Sequence, residues 1–524
     1  MPAICTLENF SLAIGDTLLF NRINSELPTG ITGLVAPNGW GKSTLLKALS
    51  GQTITETGRI IWSKPHFLVK QFQDIENLRV ADCLKHGELY SVFYRIEQGL
   101  SAEEDLVAVA DNWHLPATWK RQLKSADIQA SLDTPINKLS GGQRARLTLS
   151  TAFAYPDHYL LLDESNNCLD REGREWLKNR LIQHPGGALI ASHDRQLLEN
   201  VNQILEINQQ KLRLYGSGYS DYQHQRNAEQ AVLSQRIEAN RKELKKLNEL
   251  KQQTLHKTTM RQHQGERRRS SQSKSLVDAQ KDRAGQNLGR IKRELDRRQS
   301  QLENTQKHFQ ELSKKRNQKL TPQKLNIIPG FLHGTIRLHL ENLCLPFGKH
   351  RAPISMTLHS GDRWHVTGGN GYGKSTLLKI IAGQLEAQAG VCQRFGSYCY
   401  LDQDLSIFNK DLSALDNLIQ RFPGSRELEW RTAMGSMRLR GDMALRPIRL
   451  LSGGERLKVA LLAATHGNPA ADLLLLDEPE NHLDLDSRQL LERALRDFPG
   501  TFLIASHDPA FIEAIGVNGQ LKLE

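Results

Sequence analysis

Short apolar runs of strand length recur along the chain, each ending in polar chemistry. ITGLV (31–35) is apolar and β-branched and leads into APNGWGKSTLL (36–46), which predicts a strand, a glycine-bearing loop and the start of a helix. YLLLDE, ending at Glu164, and LLLLDE, ending at Glu478, predict buried strands that stop at two carboxylates. ALIASHD and FLIASHD predict two further short strands, each closing on a histidine, His193 and His507. Between the two halves the period changes. Ile237, Leu244, Leu247 and Leu250 mark one helix, and Leu288, Ile291, Leu295, Leu302, Phe309 and Leu312 mark a second, with repeats near 3.5 residues. A polar interval bearing Gly and Ser lies between them and holds Arg267, Arg268 and Arg269. That pattern predicts an antiparallel helical hairpin with a basic tip, its apolar seams serving only to hold it together, and about 30 residues of helix would reach roughly 45 Å.

The runs repeat in register. APNGWGKSTLL returns as GGNGYGKSTLL (368–378), with Lys42 and Lys374 separated by 332 residues, and Gln71 and Gln403 keep that same separation. LSGGQ at Leu139 and LSGGE at Leu451 are 312 apart, whereas Asp163 and Asp477, like His193 and His507, are 314 apart. One domain has therefore been duplicated, with about 20 extra residues in the first copy between Gln71 and its LSGG. The expected division is a first α/β domain over 1–220, a basic helical hairpin linker over 221–325 and a second α/β domain over 326–524.

Composition narrows the class. A chain of 524 residues, 39% hydrophobic and 24% charged, supports several folded cores. No leader pattern opens it and no uncharged apolar run approaches the roughly 18 residues that cross a bilayer, so a soluble protein is expected. Its six cysteines form no C-x-x-C pair, which argues for reduced thiols in the cytoplasm. The formal net charge of +11 is concentrated: residues 221–320 hold 25 Lys or Arg against 12 Asp or Glu, a net of +13. A solvated helical surface would account for that charge, and so would a polyanionic partner.

The motifs supply chemistry. In APNGWGKSTLL, backbone N–H groups from Asn38, Gly39 and Gly41 onward can wrap phosphates, Lys42 can reach the terminal ones, and Ser43, beside Thr44, can hold Mg²⁺. Asn370, Gly371, Gly373, Lys374, Ser375 and Thr376 repeat that set. The P-loop pattern wants glycine where this chain has Ala36; a positive φ there would strain it by roughly 1–2 kcal/mol, a negative φ not at all. Asp163 and Asp477 can hold Mg²⁺ through water, Glu164 and Glu478 are candidate general bases, and His193 and His507 can contact a γ-phosphate.

Taken in order, P-loop, Gln, LSGG, Asp-Glu and His resemble the ATP-binding cassette (ABC) ATPases over residues 1 to about 215 and 335–524. The resemblance implies two ATPs sandwiched between head-to-tail cassettes. One site would join Lys42, Ser43, Gln71, Asp163, Glu164 and His193 to Ser452, Gly453 and Gly454. The other would join Lys374, Ser375, Gln403, Asp477, Glu478 and His507 to Ser140, Gly141 and Gly142. Gln71 and Gln403 would share in the Mg²⁺ site, and Phe347 would stack on adenine where the first copy offers Ile14. Tyr215, Gly216, Tyr219, Ser220 and Tyr222, with the NHLD ending at Asp484, further resemble the ABC-F proteins.

That second resemblance implies a cytosolic ATPase that binds the ribosome at the tRNA exit site and reaches tRNA or the peptidyl-transferase centre through its linker. It would act either as a translation factor or as an antibiotic-resistance protein; the linker contact would come from Arg267 to Arg269, since no Phe, Tyr or Trp occurs from 223 to 308. A monomer with an intramolecular cassette pair is expected. The competing expectations are a soluble motor for a membrane permease, which leaves the basic linker unexplained, and a nucleic-acid maintenance ATPase, whose zinc motifs and very long coiled coils are missing from the sequence. Departures from the family pattern gather in the first half, at Ile14, Ala36, Trp40, Ser165, Asn166 and Cys168, while the second half departs mainly at Glu480. Two unequal ATP sites are expected, the first slower. Seventeen residues follow His507 in this sequence, so a C-terminal coiled coil is not expected.

Overall fold

The computed structural model describes residues 3–14, 17–53, 56–69, 78–166, 169–208, 211–216, 218–267, 290, 293–307, 309, 335–402, 405–437, 439, 441–467, 470–481 and 483–523. Two compact units result: Met1–Tyr219 with Pro322–Glu524, and Ser220–Thr321.

The first unit contains the duplicated cassette. Among its described residues the first copy holds nine strands: β1 (Ala3–Ile14), β2 (Thr17–Pro28), β3 (Ile31–Val35), β4 (Thr57–Trp62), β5 (His66–Val69), β6 (Tyr159–Asp163), β7 (Ala188–Ala191), β8 (Gln203–Asn208) and β9 (Lys211–Gly216). The second holds β10 (Ile336–Cys344), β11 (Ile354–His359), β12 (Arg363–Thr367), β13 (Ala389–Arg394), β14 (Tyr398–Leu401), β15 (Leu473–Asp477), β16 (Thr501–Ala505) and β17 (Gly519–Lys522). Strand order in the large sheets is β5-β6-β7-β3-β8-β9 and β14-β15-β16-β12-β17, so the duplication seen in the motifs is a duplication of topology.

The apolar runs explain these sheets. β15 and β16 are buried along their whole length, as a strand must be when helices cover both faces of a parallel sheet. Leu474 pairs with Phe502 and Leu475 with Leu503, as Leu161 pairs with Leu189 in the first copy. A small antiparallel sheet, β2-β1-β4 or β11-β10-β13, closes each cassette. In the first, Leu7 and Phe10 of that sheet pack with Leu45, Leu161 and Leu189 into one core. Because β6, β7, β15 and β16 end at Asp163, Ala191, Asp477 and Ala505, the parallel sheets deliver their polar residues to one edge, where nucleotides bind in open α/β sheets.

The second unit opens with a helix, Tyr219–Arg267, of 49 residues, which spans about 73 Å at 1.5 Å per residue, longer than the roughly 30 residues expected. Residues 293–307 return alongside it. Asn240 Nδ2 donates to Leu302 O (3.3 Å), Arg298 pairs with Glu243 (2.9 Å) and Lys251 with Asp296 (2.5 Å), a descending register that makes the pair antiparallel. The seam differs from the expected one. Leu244 and Leu247 are buried, but Leu250 is 51% exposed and Asn240 is buried in its stead. The stripe runs 240, 244, 247, 251 at helical spacing, and Lys251 lays its stem along it while its ammonium reaches Asp296 and Gln299. Leu288, Ile291, Leu312, Arg268 and Arg269 lie outside the described residues, and Arg267 is the last residue of the described helix.

Candidate functional site

Each P-loop turns from the end of β3 or β12 into a helix, Lys42–Leu49 or Lys374–Ile381. The turn needs glycine at the helix start: Gly41 (φ 88°) and Gly373 (φ 105°) are left-handed, and a Cβ at Gly373 would come 2.7 Å from Leu345 Cδ1. Ala36 is absent from the positive-φ positions, whereas its counterpart Gly368 has φ 154° and would place a Cβ 2.8 Å from Leu523 O. The alanine is therefore unstrained, and the imperfect motif loses nothing in backbone geometry.

Both P-loop lysines are buried and point into their loops. Lys42 Nζ donates to Ala36 O (3.1 Å) and Asn38 Oδ1 (3.2 Å) and lies 2.5 Å from His193 Nε2 and 3.8 Å from Glu164 Oε1. Lys374 Nζ donates to Gly368 O (2.9 Å), Gly369 O (3.2 Å) and His507 Nε2 (2.9 Å). His193 stands 3.6 Å from Glu164 and His507 3.4 Å from Glu478. Lysine, glutamate and histidine from three separated segments thus converge in each cassette. Ser43 and Ser375, with Thr44 and Thr376 following, occupy the first turns of the two P-loop helices.

The carboxylates sit where strand becomes loop. Glu164 N and Glu478 N each donate to the neighbouring strand, to Ala191 O and Ala505 O (both 2.9 Å), and the chain then turns with φ 45° and 48°. Left-handed backbone at a non-glycine residue is uncommon and gathers at functional sites. Asn481 Nδ2 donates to Glu478 Oε2 (2.6 Å) and orients it. Ser375 Oγ donates to Asp477 Oδ1 (3.1 Å), and Ser43 likewise hydrogen-bonds Asp163. A hydroxyl beside a buried carboxylate whose pKa is raised chiefly by desolvation is an oxygen donor set that suits Mg²⁺, a hard cation, so both pairs fit that ion. Asp477 also accepts from Tyr400 OH (3.3 Å), where the first copy has Leu68. Gln71 and Gln403 lie outside the described residues.

Ser140 and Ser452 serve first as helix caps. Each accepts from the N–H three residues on, Gln143 (3.2 Å) and Glu455 (3.4 Å), whose side chains accept in turn from the serine N–H, a capping box at the start of Gly141–Ala152 and Gly453–His466. The first turns, carrying Gly141 and Gly142 or Gly453 and Gly454, present the positive end of a helix. Among the described residues no hydrogen bond or ion pair joins these turns to a P-loop. One contact between the cassettes does reach a P-loop: Asn38 N donates to Asp484 Oδ2 (3.2 Å), which sequence reasoning missed although the NHLD ending marked the residue. Phe347 is 64% exposed, with its ring open to a stacking partner, and its carbonyl lies against the P-loop glycine Gly373; the Ile14 side chain lies outside the described residues.

Burial, then the Lys374 charge, pushes His507 down to about 4, so it is neutral at pH 7 and accepts from Lys374. In the ligand-free protein this has a sign. The unfolded chain takes up a proton near the ordinary value of 6.5 and the folded site does not, so stability is full above pH 6.5 and falls as pH drops toward 4. Melting temperatures at pH 7.5, 6.0 and 5.0 should show His507→Ala flattening that loss by roughly 1–3 kcal/mol. An unchanged slope would remove His507 from the account.

Comparison with known proteins points the same way. The ABC transporter family model matches residues 20–167 and 352–481, more than half of the chain. The ATP-binding protein YdiF of Bacillus subtilis (strain 168) is 31% identical over 560 residues, covering 98% of this chain and 79% of that protein. The Ribosome protection protein VmlR of the same organism is 28% identical over 98% of this chain and 85% of its own length. Human ATP-binding cassette sub-family F member 3 is 28% identical over 97% and 70%. Among solved structures, the complex of archaeal ribosomal stalk protein aP1 with archaeal ribosome recycling factor aABCE1 superposes with a TM-score of 0.51 over 98% of this chain and 86% of that one. At 18% identity this likeness speaks to the fold. No helix among the described residues is long and apolar enough to cross a membrane.

Proposed function

The chain belongs to the ABC family and within it to the ABC-F ATPases, a duplicated cassette protein that hydrolyses ATP, and from that premise we infer that it binds the ribosome in its ATP-closed form and adjusts translation through its interdomain linker. The observation that carries this reading is the pairing of two ATP sites with a linker region of net charge +13. A relative matched along 98% of this chain is named a ribosome protection protein. A permease motor would give that charge no task.

In this reading the P-loop N–H groups and Lys42 or Lys374 hold the phosphates of ATP, and Phe347 stacks on one adenine. Ser43 with Asp163, and Ser375 with Asp477, would hold Mg²⁺, joined by Gln71 and Gln403, and the ion would neutralise charge on the β- and γ-phosphates. Glu164 and Glu478 accept a hydrogen bond from the attacking water, and His193 and His507 face the γ-phosphate. Ser452 to Gly454 close on the first ATP and Ser140 to Gly142 on the second, each by its helix N-terminus. The closed form docks at the tRNA exit site, the linker tip around Arg267, Arg268 and Arg269 meets RNA phosphate, and hydrolysis releases the protein to the cytoplasm. A general translation factor and a drug-displacing protection protein share this machinery and differ in what the tip meets.

Co-sedimentation tests it. The variant Glu164→Gln with Glu478→Gln should pellet with ribosomes when ATP is present and stay in solution with ADP. No ATP-dependent association at low salt would end the reading. Replacing Arg267 to Arg269 by Ala should weaken association and flatten its dependence on salt, because fewer counterions are released.

A further inference from the structure

From the Asp-Glu motif onward the cassettes repeat at an offset of 314 residues, so unlike residues at matching positions show where the halves do different work. Both keep an arginine–aspartate pair behind the histidine: Arg174 with Asp194 (3.5 Å), and Arg488 with Asp508. Beyond that pair the symmetry ends. Arg195 of the first cassette, two residues after His193, forms an ion pair with Glu492 of the second: Nη2 donates to Oε2 (3.2 Å) and Nη1 lies 2.9 Å from Oε1. The matching positions are Pro509 and Lys178; proline carries no charge, and Lys178 pairs with Glu175 on its own helix (3.6 Å). The ion pair therefore bridges the cassettes in one direction and has no mirror image.

Its far end leads to the second ATP site. Glu492 Oε1 lies 3.6 Å from Arg488 Nε, and Arg488 holds Asp508 in a pair that is almost fully buried. Asp508 caps the helix Pro509–Ile515 by accepting from Phe511 N (3.0 Å), and its own N–H donates to Ser506 Oγ (3.1 Å). Ser506 Oγ donates to Glu480, a buried carboxyl where the first cassette has Asn166. His507 stands between Ser506 and Asp508, its flanks held by this network and its ring against Lys374 and Glu478. In the first cassette the corresponding side chains are neutral at the centre: Ser192 donates to Asn166 (3.2 Å), and Asn166 to Asp194 (3.3 Å).

We propose that Arg195 and Glu492 are positioning residues for hydrolysis at the second site: their bridge ties the seating of His507 to the placement of the first cassette's His193 segment. Turnover at the Lys374 site then depends on closure over the Lys42 site more than the reverse. Coupling of binding must be reciprocal, but coupling of kcat need not be. The proposal rests on the assignment of Glu164 and Glu478 as the two bases.

The experiment measures steady-state ATP hydrolysis in two backgrounds, Glu164→Gln, where the second site turns over, and Glu478→Gln, where the first does. Arg195→Ala and Glu492→Ala should each lower kcat about tenfold in the Glu164→Gln background with KM for ATP unchanged, and less than about twofold in the other. The double variant should be no slower than either single one, and Arg195→Lys should recover part of the loss. Equal losses in both backgrounds, or additive ones, would overturn the proposal. If an alanine variant melts early, the isosteric Glu492→Gln gives the same comparison. A Glu164→Gln, Glu478→Gln protein that still hydrolyses ATP would sink the base assignment instead, a result separate from the difference between backgrounds.

Discussion

Replacing Glu164 and Glu478 together by glutamine should leave ATP bound and slow its hydrolysis by about 10²–10⁴-fold, the span that a lost general base commands. Glutamine has the shape of glutamate, so the left-handed turn at each position and the N–H bonds to Ala191 O and Ala505 O survive the exchange. What disappears is the ability to draw a proton from water. The check is a pair of measurements on one sample, phosphate release and the rise in melting temperature on adding ATP. Loss of both would mean that the glutamates hold the nucleotide or the fold, and the base assignment would fail. The single variants should be unequal, with Glu478→Gln removing more of the turnover. Asp477 has Tyr400 as a second donor where the first copy has Leu68, and Asn481 holds Glu478 in place. Equal losses would overturn the inequality of the sites.

Motif order and apolar runs made the parallel sheets and the convergence of Lys374, Glu478 and His507 legible, because strand-ending motifs come together once the strands are adjacent in a sheet. Two kinds of feature escaped. Local geometry did: whether Ala36 was strained depended on its φ, and which face of the long helix was buried depended on a register that put Lys251 at the seam and Leu250 outside it. Contacts between residues far apart in the chain also did. Asn38 meets Asp484 across 446 positions and Arg195 meets Glu492 across 297. Neither pair carries a spacing to read, since each is made by the docking of one cassette on the other. The pairing of unlike charges at Arg195 and Glu492, against Pro509 and Lys178 at the repeated positions, was nevertheless a visible break in the repeat.

Lys374→Met should separate stability from function at one residue. The ammonium of Lys374 is buried, and desolvation holds its pKa below the ordinary lysine value. Its donors go to Gly368 O and Gly369 O, with His507 as a third partner. Methionine matches the length of the stem and removes the buried charge, which favours the ligand-free fold; it also leaves two loop carbonyls without this donor, which opposes it. The two effects are similar in size, so the ligand-free melting temperature should move by no more than a few degrees, about 1 kcal/mol. ATP meets a different site. Without the cation that faces its terminal phosphates, affinity there should fall about 100-fold, and the stabilisation that ligand binding adds, about 2.7 kcal/mol at a hundred times Kd, should collapse at that concentration. Lys42→Met should do the same to the first site, where the lysine binds Ala36 O and Asn38 Oδ1. Thermal melts with and without ATP on each single variant and on the pair distinguish the outcomes. If the double variant still gains the full stabilisation from ATP, the lysines do not hold phosphate and the nucleotide sites lie elsewhere.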